Sequence, residues 1–157
     1  MQDNHWPDSL PLLRRLGYGG LIPFFALAIG PWTIADPAAR ATCLQLLQAY
    51  GLAIISFVGA LSWGFALIAS GIDSAVRRRL LIWSVLPALI GFSGFLLPVA
   101  GSCLVLAATA AVALAFDLRH ATALALPAQW RQLRLHLSLG AIAALLLGAY
   151  AALTLTG

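Results

Sequence analysis

Long apolar runs alternate with short polar gaps along this chain. The runs cover 16–34, 44–70, 80–97, 99–116 and 136–156. Roughly 20 residues of helix rise about 30 Å, the thickness of a bilayer's hydrocarbon core. Within lipid the backbone has to satisfy its own hydrogen bonds, so continuous apolar runs of this length read as helices. The pattern predicts an all-α integral membrane helix bundle with five transmembrane helices, in one domain over 1–157.

The gaps carry the start and stop signals. Asp36-Pro37 pairs an N-cap carboxylate with proline at the first helical position. The second helix is therefore expected to start at Pro37 and run to Ser70, about 50 Å, with its first turns projecting from the membrane. Gly71 stops it, and Asp73 is placed to cap the next helix. Pro98 and Gly101 mark a tight reversal, and Pro127 opens the last helix, with Trp130 at an interface. Three prolines, Pro23, Pro31 and Pro87, fall inside runs. Pro23 predicts a kink or re-entrant start in the first span, and Pro87 sits at the centre of the third. Residues 1–15 read as an irregular or interfacial leader around Trp6. The acidic Asp3 and Asp8, and the prolines breaking the first run, argue against a cleaved signal peptide.

Composition sharpens the membrane reading. The chain has 157 residues, of which 62% are hydrophobic and only 9% charged. A soluble domain carries about 25% charged residues, so these charges are too few to cover a soluble surface. All nine basic residues are Arg and all five acidic ones are Asp, giving a net charge of +4. The basic balance does not point to nucleic acid, because the Arg residues lie in connectors. Arg14, Arg15, Arg77, Arg78, Arg79, Arg119, Arg131 and Arg134 fall on one side of a five-span layout, and Arg40 alone falls on the other. Positive charge favours the cytoplasmic side. The N-terminus is therefore expected inside and the C-terminus outside. Trp6, Trp83 and Trp130 would line the inner boundary and Trp32 the outer.

At 100° per residue the second span divides into two faces. Ile54, Phe57, Val58, Leu61, Phe65 and Ile68 suit lipid. Ser56, Gly59, Trp63, Ala66 and Ser70 suit close packing, with Gly51 and Ser62 at the edge. The same stripe also reads as a ligand or permeation surface lined by Tyr50, Ser56, Ser62 and Trp63. Gly140, Ala144, Gly148 and Ala152 form a small-residue ridge, as do Ala107, Ala111 and Ala115. Such ridges serve internal packing or self-association.

Candidates for chemistry are few. No ionisable residue lies mid-span, which argues against a proton relay. Asp117 and His136 are nearest, and Asp117 is expected to pair with Arg119, Arg131 or Arg134. His5, His120 and His136 lack metal-ligand spacing, so no metal site is assigned. No phosphate loop or nucleophile elbow is present, and no catalytic residue or cofactor is assigned. Cys43 and Cys103 read as small buried side chains rather than a disulfide. Arg77, Arg78 and Arg79 read as a topology signal that also suits anionic lipid headgroups.

Leu16-Gly17, Gly20-Leu21-Ile22-Pro23-Phe24, Tyr50-Gly51, Ile55-Ser56-Phe57, Gly59, Trp63-Gly64, Ser84-Val85 with Pro87, Asp117, Pro127, Trp130 and Arg134 form a set of motifs. In this set the chain resembles the transmembrane protein 69-like family. The resemblance spans about 16–138. An aromatic residue expected soon after Pro87 and another after Trp130 are absent. The resemblance implies a small multi-span protein of bacterial or mitochondrial inner membranes, and no established activity.

Two functional readings follow. The first is a non-enzymatic bundle of the bacterial inner membrane that packs with itself or a partner complex, or carries a small solute or lipid. The second is a membrane enzyme or binder for a lipid-like molecule such as a quinone. Its site would lie near Trp63, Asp117, Trp130 and Arg134.

Overall fold

A computed structural model describes residues 6–155, with side chains from Leu10 onward. The expectations for Asp3, His5 and the Trp6 and Asp8 side chains lie outside the described residues. Seven α-helices follow in order: α1 (Trp6–Gly19), α2 (Leu21–Thr33), α3 (Pro37–Ile68), α4 (Ser74–Trp83), α5 (Leu86–Ser93), α6 (Val99–His120) and α7 (Ala128–Leu155). They make five segments long and apolar enough to cross a membrane: Leu10–Thr33, Pro37–Ile68, Ser74–Leu96, Val99–His120 and Ala128–Leu155. The protein is an all-α, multi-pass membrane protein.

Two of the five spans are broken, and both breaks sit one turn before a proline. A proline ring collides with the carbonyl four residues earlier and offers it no N–H. For Pro23 that residue is Gly19, where α1 ends; for Pro87 it is Trp83, where α4 ends. The first break thus falls at Gly20, earlier than a kink at Pro23 itself. The third proline of this kind, Pro31, lies inside α2 without breaking it. The carbonyl it leaves without an N–H is that of Leu27. The Cys43 thiol donates to this carbonyl across the helix interface, at 3.4 Å. Both cysteines are free thiols.

The described part of the leader is helical, not irregular: α1 runs from Trp6. The last span is one helix from Ala128, so the interfacial piece and the span are continuous. Asp36 caps α3, accepting from the Ala39 N–H at 3.0 Å and the Ala38 N–H at 3.4 Å. Asp73 occupies the equivalent position before α4, but its side chain makes no capping bond. It accepts instead from the Ser74 hydroxyl at 3.3 Å.

The spans pack in a closed order: α2 on α3, α3 on α5, α5 on α6, α6 on α7, and α7 back on α2. α3 also reaches across to α6 and α7. The core between α2, α3, α6 and α7 is filled by Phe24, Ala28, Leu47, Ile55, Leu106, Ala144 and Leu145. Small residues make the approach possible. A side chain on Gly140 would meet Leu21 at 2.8 Å, and one on Gly148 would run into Leu47. The ridge on α7 is therefore turned inward. The Ala107, Ala111 and Ala115 ridge is not a packing face: Ala107 is buried, but Ala111 and Ala115 are exposed. The buried face of α6 runs instead through Ser102, Cys103, Leu106, Thr109, Ala110, Ala113 and Leu114.

Candidate functional site

The strongest polar cluster lies where the end of α3, the start of α4, the end of α6 and the start of α7 converge. Arg134 donates from Nε to Asp117 Oδ2 at 2.7 Å, with the two side chains 10% and 9% exposed. Arg134 also donates to the Ser138 hydroxyl at 3.1 Å, one turn further along α7. Of the three partners expected for Asp117, Arg134 is the one bonded. Charge-assisted pairs of this kind are short and strong, and they are costly to break when buried. The carboxylate is occupied, so the pair locks α6 to α7 rather than presenting a free base.

Rings close this end. Trp130 meets Phe65 edge-on, with centroids 5.9 Å apart at 80°. Trp130 is 9% exposed, so it is a packing residue and not part of an interfacial belt. Trp83 stacks on Phe116 at 4.5 Å and 17°, and Phe116 meets His120 at 4.2 Å. His120 is itself buried, and its Nδ1 is 2.8 Å from the Phe116 carbonyl. From sequence, Ser138 and Phe116 draw no role, Phe65 is assigned to lipid although it packs on Trp130, and His120 is weighed only as a metal ligand. Their only signal is helical spacing: Phe116 to His120, and Arg134 to Ser138, are both one turn apart.

The arginines divide by role. Arg77 donates to the Ala66 and Ala69 carbonyls, the latter at 3.1 Å, and so closes the C-terminal end of α3. Arg40 does the same for α2, donating from Nε to the Ile34 carbonyl at 2.6 Å. Terminal helix carbonyls have no partner within their helix, and a cation there also complements the helix dipole. Arg78 and Arg79 remain exposed.

The central stripe does not gather at this cluster. Tyr50 donates its hydroxyl to the Gly20 carbonyl at 2.8 Å, at the break between α1 and α2. Its ring meets Phe24 edge-on at 4.9 Å. Ser62 is at the centre of the buried face of α3, not its edge, and Ser56 is half-buried. Trp63 is 57% exposed and Ser70 is exposed, so both leave the packing face assigned to them. The buried face is Leu44, Leu47, Gln48, Gly51, Ile55, Gly59, Ser62 and Ala66. It is turned toward Ser62 because hydrophobicity cannot separate inside from outside in lipid. Ile55 packs inward, while Phe57 faces out as expected, at 62% exposed. Gly59 brings α3 against the broken span, where an added side chain would meet the Ser84 carbonyl at 3.0 Å and Pro87 at 3.2 Å.

His136 accepts or donates at Nδ1 with the Tyr18 hydroxyl, 2.9 Å away. This places α1 beside α7, on the same end as the cluster. Among the described residues, no three His, Cys, Asp or Glu side chains gather into a metal-binding group. An open groove of about 620 Å³ runs along α2, lined by Tyr18, Ile22, Phe25, Ile29 and Thr33 among others. It is the apolar side of one helix.

A first prediction concerns Tyr50. Tyr50→Phe keeps the ring packing and removes only the bond to Gly20. The expected loss of unfolding free energy is about 1 kcal/mol, the net worth of one hydrogen bond. Reversible unfolding in mixed micelles would measure it, and an unchanged value would show that the hydroxyl does not hold the break.

Neither a curated protein nor a solved structure matches the chain. A family model does match, over residues 11–150: the family described as a protein of unknown function, DUF3429. The match covers α2 to α6 whole and most of α1 and α7, and the chain belongs to that family.

Proposed function

We propose that this protein is a non-enzymatic membrane scaffold, a bundle that packs with copies of itself or with a partner membrane-protein complex. One observation carries the reading. Six polar side chains at helix breaks, helix ends and the buried pair engage backbone carbonyls or one another, while the buried Ser102 hydroxyl has no partner among the described residues. Cys43 closes Leu27, Arg40 closes Ile34, Arg77 closes Ala66 and Ala69, Tyr50 closes Gly20, and Asp117 holds Arg134. Lipid offers no water for such groups, so a broken helix needs internal partners. The space between α3, α6 and α7 is filled by Leu47, Leu106, Leu145 and Gly148. What is left for work is the outer surface.

A lipid-like or quinone ligand fits less well. Its proposed site needed Trp63 beside Asp117 and Arg134, yet Trp63 points outward and Trp130 is filled by Phe65. The Arg-bearing end is placed inside, with the N-terminus, by the charge rule. An Arg-only, Ala-rich chain suits a bacterial inner membrane. The Tyr50-Gly51 to Trp63-Gly64 block supports reading the chain as similar to the transmembrane protein 69-like family.

Photo-crosslinking amino acids at Trp63 and Ala111, both exposed, test this in native membranes. A discrete protein adduct at one or both positions is expected. Adducts to lipid alone at both positions would overturn the scaffold reading.

A further inference from the structure

The scaffold reading leaves the exposed arginines at one end unexplained. Arg77 is engaged by α3, and Arg134 by Asp117. Arg79 and Arg119 are exposed and make no ion pair among the described residues. Their positions are set by the ring stack between α4 and α6. Residues four or three apart share a helix face. Arg79 precedes Trp83 by one turn, and Arg119 follows Phe116 by about one turn. Trp83 and Phe116 are in contact, 4.5 Å between centroids. Each helix of the stack therefore has an exposed arginine about one turn from its ring, at the end where α4 begins and α6 finishes. Of the acids near it, Asp117 is held by Arg134, while the exposed Asp73 accepts only from the neutral Ser74 hydroxyl and makes no ion pair among the described residues.

The geometry points to a binding site for an anionic phospholipid headgroup at the Trp83–Phe116 stack that joins α4 to α6, with Arg79 and Arg119 as phosphate ligands. The chemistry matches at both ends of the ligand. Guanidinium groups take phosphate oxygens bidentately and stay charged at any relevant pH. Amphipathic rings sit at headgroup depth, where acyl chain gives way to water. An exposed cation pair at that depth attracts a negative headgroup and not a neutral one. The Arg77–Arg79 run alone would not make this site, because Arg77 is bound to α3 and Arg78 is on another side of α4.

Native mass spectrometry of the whole chain in detergent, titrated with dioleoylphosphatidylglycerol, tests the site. Dioleoylphosphatidylcholine serves as the neutral comparison. Wild type is expected to retain the glycerol lipid in preference to the choline lipid. Arg79→Gln with Arg119→Gln should weaken phosphatidylglycerol retention about 30-fold, from about fivefold per arginine. Arg14→Gln with Arg15→Gln removes equal charge elsewhere and should change it less than about threefold on the same scale. Equal loss in both double variants would show a response to total charge only and overturn the site. So would equal retention of the two lipids by wild type, or no loss in the Arg79 and Arg119 variant. Circular dichroism melts establish folding. If the double variant does not fold, each single variant should lose about fivefold, and no loss in either is equally fatal to the proposal.

Discussion

Asp117→Ala will destabilise the folded bundle by about 3 to 5 kcal/mol, the cost of leaving a buried charge without its partner. The stranded group is Arg134, only 10% exposed and within a membrane-spanning helix. Ser138 can share one of its donors but offers no charge. Replacing both partners by apolar residues of similar volume is a different experiment. Asp117→Leu with Arg134→Met removes the charges together and should return to within about 1 kcal/mol of wild type, as buried pairs replaced by apolar residues do elsewhere. Reversible unfolding in mixed micelles reads both. A single Asp117 variant as stable as wild type would mean that water or headgroups reach Arg134.

Gly148→Val should cost a comparable amount, about 3 kcal/mol, from overpacking where α7 meets α3. Leu47 is fully buried and already occupies the space that a side chain at position 148 would need. Cys103 lies next to the same point, so Leu47 has little room to swing aside. The compensating change follows from the geometry. Leu47→Ala in the Gly148→Val background should recover part of the loss, although Leu47→Ala alone would itself open a cavity. Additive losses in the double variant would show that the two residues are not the contact that sets the helix spacing.

Much of the architecture was readable because length and hydropathy are one-dimensional. Asp36-Pro37 located the start of α3, and Arg counting put the charged connectors together. The candidates for Asp117 included Arg134, one turn and a connector away. Three things were not readable, each for a physical reason. The inward face of α3 was misjudged at Trp63 and Ser62, since apolar side chains serve lipid and core alike in a membrane. The break expected at Pro23 falls one turn earlier, and the break before Pro87 was not predicted, because a proline disrupts the carbonyl four residues before it. The roles of Arg40, Arg77 and Cys43 depend on which carbonyl each one meets, and those meetings are tertiary. Trp130 was read as interfacial from its sequence neighbours Arg131 and Arg134, but Phe65 of α3 covers it.

These features share one cause. Pro31 and the ends of α2 and α3 leave carbonyls open inside a medium that cannot hydrate them, and Cys43, Arg40 and Arg77 close them. The adduct yield of the Asp117→Leu, Arg134→Met protein, crosslinked from Trp63 and Ala111 in native membranes, tests this most directly. A folded protein that gives the same adducts as wild type is the predicted result, with the buried pair serving the fold and the outer surface doing the work. A folded protein that has lost its adducts would contradict it and make the pair part of the function.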